Sequence, residues 1–499
     1  MRTLRAGFLI ATLTALPGCS AVLDFDDECA IDSDCDAIAV GLRCDAGFCI
    51  AKDLISPTGP CDRIYGEDPR TAPPGTVLTI GTLLPRSGAL GAFGDGMDNG
   101  VRLAVSEINQ SGGVLGMKLG VVSCDDGTDS AKAEVAARHL IEVGKVSAIV
   151  GAGASGVTIE SFNRVAKAAR VLMISPSATS PAISNLPDDG LLWRTAPSDA
   201  VQGRAIAEYV LKRGYKKIGI INRNDAYGNG LAAAIQALLC SSGKFACTSD
   251  TIFPFTYSDQ PGGTQVDQQR NAVAAMVNKA PEAVILIAYV QDGIDLLNLA
   301  NGKGFQWILT DGMRDTDLLG VDQNQPGVTD QSILCSLVGT NPASPSGELF
   351  DAFAFSYEGQ FGAPPATFSA NAYDAAYLIG LAYAAARGAG VTEINGRSLA
   401  EGLTRLAQGS RIALGVSDFG TALTTLSSGR TGTVDVVGVS GPLDFDSSLG
   451  EAPSGIEMWR LDVSRGQIKN LGVVYDGQAS YDFDVVLQDQ PGPPCGATR

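Results

Sequence analysis

The 499-residue chain contains one histidine, His139. That scarcity removes nearly all histidine-based metal sites and the histidine-dependent nucleophilic triads. A basic surplus is also missing: 36 lysines and arginines stand against 54 aspartates and glutamates, a net charge of −18. Phosphate backbones require a concentrated positive footprint, so no nucleic-acid partner is expected. No stretch of 18 consecutive apolar residues occurs, whereas a membrane-crossing helix needs about 20. The glycine-rich segment from Gly88 to Gly96 lacks both GxxxxGKS/T and GxGxxG, which disfavours nucleotide binding. Neither a GxSxG elbow nor a paired nucleophile and base is present, so no enzyme, cofactor or metal site is expected. What remains is a hydrophobic fraction of 45% with 18% charged residues, 60 glycines and eleven cysteines. This is globular composition, at a length that suggests about two to four domains.

The first residues read MRTLRAGFLIATLTALPGCS. Arg2 and Arg5 precede a short apolar run, Ala6 to Leu16, the pattern of a secretory signal. Leu16-Pro17-Gly18-Cys19 resembles a bacterial lipobox, which implies cleavage after residue 18 and acylation of Cys19; an ordinary signal peptide is the alternative. The expectation is an exported protein in the cell envelope, lipid-anchored and facing the periplasm, on the inner or the outer membrane.

Export accounts for the cysteines. Cys29, Cys35, Cys44 and Cys49 crowd an acidic segment, where two disulfides are expected in one of three pairings. A zinc site there is disfavoured by the absence of CxxC spacing. Residues 19–75 read as this Cys-rich segment followed by a Pro/Gly/Thr-rich linker. Cys240 and Cys247 are expected to close a small loop, and Cys61 and Cys495 to tie the two ends of the main body together.

From Thr76 onward, near-continuous apolar strands alternate with amphipathic helices. Thr76–Leu84 is a strand, and Val101, Ala104, Val105 and Ile108 mark one face of the helix that follows. Asp129 or Ser130 caps the next helix and Gly144 stops it. Such alternation implies parallel sheets covered on both faces. The pattern restarts after about residue 200, giving two α/β lobes with a cleft between them. Ligands of such sheets bind at the carboxyl ends of the strands.

Five segments in order carry a family pattern: LLPRSGALGAFGDGMDNGVRLAVSEINQSGGVLGMKL, IVGAGASGVTIESFNRVAKAARVLMISPSATSP, IINRNDAYGNGLAAAIQ, ILIAYVQDGIDLLNLANGKGF and VSGPLDF. Together they resemble type I periplasmic solute-binding proteins, specifically the leucine/isoleucine/valine-binding receptors of ABC transporters, over Thr76 to Gln488. The resemblance implies two Rossmann-like lobes with central, mostly parallel sheets, joined by a three-crossover hinge and preceded by the small disulfide-rich segment. The boundaries expected are 76–197 plus 338–433 for lobe 1 and 198–337 plus 434–490 for lobe 2.

A free amino acid is a zwitterion, and both of its charges need partners once buried. By resemblance, Ser155 with the backbone of Gly156 holds the ligand carboxylate and Thr179 hydrogen-bonds the ligand. The Ser177–Ala178 loop presents a carbonyl to the ammonium. Tyr227 packs on the ligand, Asp292 pairs with its ammonium, and Phe93 forms an apolar wall. Arg86 and Asp311 are further candidates without an assigned role. The implied activity is capture of a small amino acid, branched-chain or otherwise aliphatic, for delivery to an ABC-transporter permease. A ligand-sensing or scaffold module, or an amide or aromatic-acid ligand, are the alternatives.

Overall fold

The computed structural model describes residues 29, 31–36, 42–45, 48–51, 53–320, 326–343, 347–475 and 482–488. Contacts divide the chain into two units, Met1–Lys52 and Asp53–Arg499. The expected signal sequence, Cys19 and Cys495 lie outside the described residues.

The small unit consists of helix α1 (Asp32–Asp36) and an antiparallel hairpin of β1 (Leu42–Asp45) and β2 (Phe48–Ala51). Cys29 bonds Cys44 and Cys35 bonds Cys49, which selects one of the three pairings. A unit this short cannot bury enough apolar surface to stand alone, so covalent staples carry its stability. The same bonds consume the sulfurs that a zinc ion would need.

In the large unit, the first sheet has six strands in the order β3-β5-β4-β6-β7-β8. These are β3 (Cys61–Gly66), β4 (Val77–Leu84), β5 (Lys118–Asp125), β6 (Ala148–Gly151), β7 (Leu172–Ser175) and β8 (Leu192–Arg194). All pair in parallel except the edge strand β3. Helices α2 (Gly91–Gln110), α3 (Ser130–Glu142), α4 (Ser155–Ser161) and α5 (Lys167–Ala169) connect them. Asp129 caps α3, accepting the Lys132 N–H at 2.8 Å. His139, mid-helix, lies 2.9 Å from the Leu54 carbonyl through Nε2, a structural contact.

The second sheet runs β10-β9-β11-β12-β13-β17-β18. It comprises β9 (Ile218–Arg223), β10 (Ile252–Tyr257), β11 (Ala283–Ile287), β12 (Gln306–Leu309), β13 (Val338–Pro342), β17 (Ile456–Asp462) and β18 (Gln467–Tyr475). Helices α6 (Asp199–Arg213), α7 (Ala226–Ser241), α8 (Gly263–Lys279), α9 (Val290–Leu299) and α10 (Gln331–Ser336) cover it. The chain then returns to the first lobe. There α11 (Glu348–Phe361) and α12 (Ser369–Gly388) pack on α2, followed by α13 (Gly396–Leu403) and α14 (Val416–Ser427). A three-stranded sheet of β14 (Ser410–Ala413), β15 (Val434–Gly438) and β16 (Gly441–Pro442) lies beside them. The chain crosses between lobes after β8, after β13 and after β16, and ends the described residues in α15 (Asp484–Gln488).

Three boundary expectations and one disulfide pairing change. Residues 338–342 pair with β12 and β17, so they belong to the second lobe. Residues 434–442 pair with β14, so they stay with the first. Cys61–Gly66, placed in a linker by its Pro/Gly-rich flanks, is an edge strand of the first sheet. Cys61 bonds Cys124, its register partner on β5, and not Cys495. The Cys240–Cys247 loop forms as expected, and Cys335 is also disulfide-bonded.

Candidate functional site

The carboxyl ends of β6, β7, β9, β11 and β12 converge where the lobes face each other. From the first lobe, Ser155 opens α4 directly after β6. Its hydroxyl oxygen accepts the Ser180 N–H at 3.1 Å, which leaves its own proton for another acceptor. The N–H groups of a helix's first turn have no intrahelical partners, so Ser155 and Gly156 present unspent donors. The loop after β7 is shaped from within. Ser175 Oγ accepts the Ala178 N–H at 3.0 Å, and Ser177 Oγ donates to the Gly153 carbonyl at 2.9 Å. Buried Arg194 pins the loop by donating to the carbonyls of Ala178 (3.3 Å) and Ser180 (2.9 Å) while pairing with Glu451 from the third crossover. Thr179 emerges from this loop and donates to Asp199 Oδ2 at 2.9 Å, and the Asp199 N–H returns a bond to the Thr179 carbonyl at 2.8 Å.

From the second lobe, Tyr227 in the first turn of α7 donates to Asp311 Oδ1 at 2.7 Å and lies 2.8 Å from Thr310 Oγ1. Its ring stacks on Tyr289 with centroids 5.6 Å apart and planes 12° from parallel. Gln202 donates to both Asp311 Oδ1 and Thr340 Oγ1 at 3.0 Å. Ser180 Oγ reaches across to the Ala226 carbonyl at 2.8 Å, so the lobes are closed at this edge.

The electrostatics are unusual. Asp199 and Asp311 are both buried. Burial, and next the charge of Asp311, push the Asp199 carboxyl well above the usual carboxylate range. Burial also raises Asp311, against the hydrogen bonds from Tyr227 and Gln202. Asp199 Oδ1 accepts no hydrogen bond from any described residue. The buried Arg194 guanidinium offsets part of this on Asp199, whose free Oδ1 remains open to a further donor.

Ser155, Gly156, Ser177, Ala178, Thr179 and Tyr227 are therefore brought together. Phe93 is buried at the start of α2, edge-on to Phe368 at 6.4 Å. Asp292 is placed differently from the expected ammonium partner. Its carboxylate is already engaged by Arg223 Nη1 (2.6 Å), Gln265 Nε2 (3.2 Å) and Tyr257 OH (3.3 Å). Arg86 is spent on Asp62. Sequence reading missed Asp199, Gln202 and Tyr289 and left Asp311 unassigned. Asp199 reads locally as an ordinary first-turn acid of α6, and only the fold sets it beside Thr179 and Asp311. Beside the cluster, where the crossovers meet, a cavity of ≈ 270 Å³ is lined by Arg314, Asn341, Thr367, Phe368, Asn371 and Ser440 among others.

Two lobes crossed three times by the chain, with a polar cluster between them at the strand ends, define a two-lobed ligand-binding protein. The chain belongs to the periplasmic binding protein family, whose model matches residues 77–423. The Leu/Ile/Val-binding protein BraC3 of Rhizobium johnstonii is 30% identical over 50% of this chain and 66% of its own length. The Leu/Ile/Val-binding protein of Escherichia coli is 32% identical over 32% of this chain and 42% of its own. The chain thus spans about two thirds or less of the length of the curated relatives it matches. Among solved structures, the branched-chain amino acid transporter substrate binding protein LivJ from Streptococcus pneumoniae, in complex with isoleucine, aligns with a TM-score of 0.62 at 24% identity, covering 80% of this chain and 99% of that one. A solute binding protein from R. palustris in complex with benzoate aligns at 0.60 and 18% identity, covering 80% and 97%. At these identities the structures share the fold.

Proposed function

We propose that this chain is an exported, lipid-anchored solute-binding protein that captures a small amino acid, branched-chain or otherwise aliphatic, between its lobes and delivers it to an ABC-transporter permease. The observation that carries the reading is the Asp199–Asp311 pair, buried between the lobes with Asp199 Oδ1 unpartnered among the described residues. An ammonium group supplies three donors and one positive charge, which is what that pair lacks. The carboxylate of the same ligand takes the Ser155 hydroxyl and the first-turn N–H groups of α4, where the helix dipole also favours an anion. Tyr227 and Tyr289 cover the ligand from the second lobe. The ammonium role expected of Asp292 passes to Asp311 and Asp199.

A ligand that touches both lobes only when they are closed shifts the population toward closure, and the closed form is what a permease would read. An aromatic acid such as benzoate, bound by one structural neighbour, fits less well because it brings no cation to the acid pair. Isothermal titration with leucine, isoleucine, valine and benzoate tests the reading: heat with the amino acids supports it, and heat with benzoate alone refutes it.

A further inference from the structure

We propose that Arg223 is a positioning residue of the ligand site, acting through Tyr289. The inference rests on the reading that the Tyr227–Tyr289 shelf faces the ligand. Arg223 ends β9 and is buried. Its guanidinium carbon lies 3.8 Å from the centroid of the Tyr289 ring, and that ring stacks on Tyr227. The guanidinium is fixed in turn. Nε is paired with Asp225, and Nη1 donates to Asp292 Oδ2 at 2.6 Å. Asp225 is itself anchored as the cap of α7, accepting the Gly228 N–H at 2.8 Å. Asp292 is held from its other side by Tyr257 and Gln265. The start of α7 sits directly on Arg223: a Cβ at Gly228 would come within 2.2 Å of the Arg223 carbonyl oxygen and 2.8 Å of its Cγ.

Arg223 thus touches Tyr289 by its planar face, the two acids by its edge, and the base of the helix carrying Tyr227 by its backbone and stem. None of the Ser155, Thr179, Asp199 or Asp311 side chains bonds to it in the described structure. A guanidinium can stack on a ring and keep two in-plane carboxylate bonds together, whereas an ammonium is a point charge without a face. The alternative role is a buried ion pair that stabilises the second lobe and nothing more.

The two roles separate in a double-mutant cycle. Arg223→Lys retains the charge beside Asp225 and Asp292 and loses the face. In the wild-type background it is expected to weaken leucine binding by about tenfold, mostly through faster dissociation. In a Tyr289→Leu background the same substitution is expected to change the affinity less than about twofold, because the group it acts through is gone. An equal loss in both backgrounds, or no loss in either, overturns the proposal. A parallel measurement needs no ligand: near-ultraviolet circular dichroism of the unliganded protein should change in its tyrosine bands on Arg223→Lys while the far-ultraviolet spectrum is retained. An unchanged tyrosine signal also overturns the proposal, even if the wild type binds no amino acid and the functional reading has failed on its own account.

Discussion

At the scale of single residues, the two buried acids decide most of the behaviour. A carboxyl whose folded pKa is raised favours the fold while protonated. Its contribution is full below the unfolded value near 4 and is lost as pH rises through the raised folded value. Asp199 and Asp311 therefore cost stability at neutral pH until a cation joins them. Asp311→Asn should weaken leucine binding by about 100-fold or more and at the same time raise the melting temperature of the unliganded protein. Calorimetry and a thermal melt on one preparation check both. As pH falls through the raised values, affinity for leucine should fall and binding should release protons, seen as a titration heat that depends on the buffer. Ser155, Thr179 and Tyr227 were proposed from sequence because each sits in a segment with a family pattern. Sequence did not reveal Asp199 or Tyr289. Their chemistry depends on neighbours more than twenty residues away in the chain or across the cleft. Asp292 illustrates the converse: an acid expected to pair with the ligand whose carboxylate is instead engaged by Arg223, 69 positions away.

At the scale of elements, alternation of apolar strands and amphipathic helices was enough to place most strands of both sheets. What it could not place was membership. β13, with the sequence VGTNP, has no apolar run to mark it as a strand, and only hydrogen-bond partners assign it to the second lobe and β15 to the first. β3 was hidden because an edge strand needs no continuous apolar run, and β8 because it has only three residues. Two element-level supports invite substitution. Arg194 joins the Thr179 loop to Glu451 on the third crossover, and Arg194→Met would leave that carboxylate partly buried and unpaired. A loss of about 3–5 kcal/mol in unfolding free energy is expected from denaturant titration. Replacing Cys61 and Cys124 with alanine frees β3 from β5 and should cost about 2–4 kcal/mol, read the same way.

At the scale of the whole molecule, the described cysteines of this acidic chain form a small stapled unit and bonds within the binding body, and Cys19 is the proposed anchor. If Cys19 carries lipid, Cys19→Ser should release the protein from the membrane fraction without altering ligand affinity. Closure should also be tunable at a second contact between the lobes. Arg314 Nη1 donates to Thr367 Oγ1 across the lobes at 3.1 Å, so Thr367→Val should shift the unliganded ensemble toward open forms, detectable as a larger radius of gyration in small-angle scattering. The binding expectations depend on a ligand whose positive charge is needed by the buried acid pair. Leucine and 4-methylpentanoate differ by that ammonium group alone, so the decisive measurement is their affinities side by side by isothermal titration at neutral pH. Leucine is expected to bind at least about 100-fold more tightly than its deaminated analogue. Equal affinities, or tighter binding of 4-methylpentanoate, would contradict the assignment of the cleft to an amino acid held by Asp199 and Asp311.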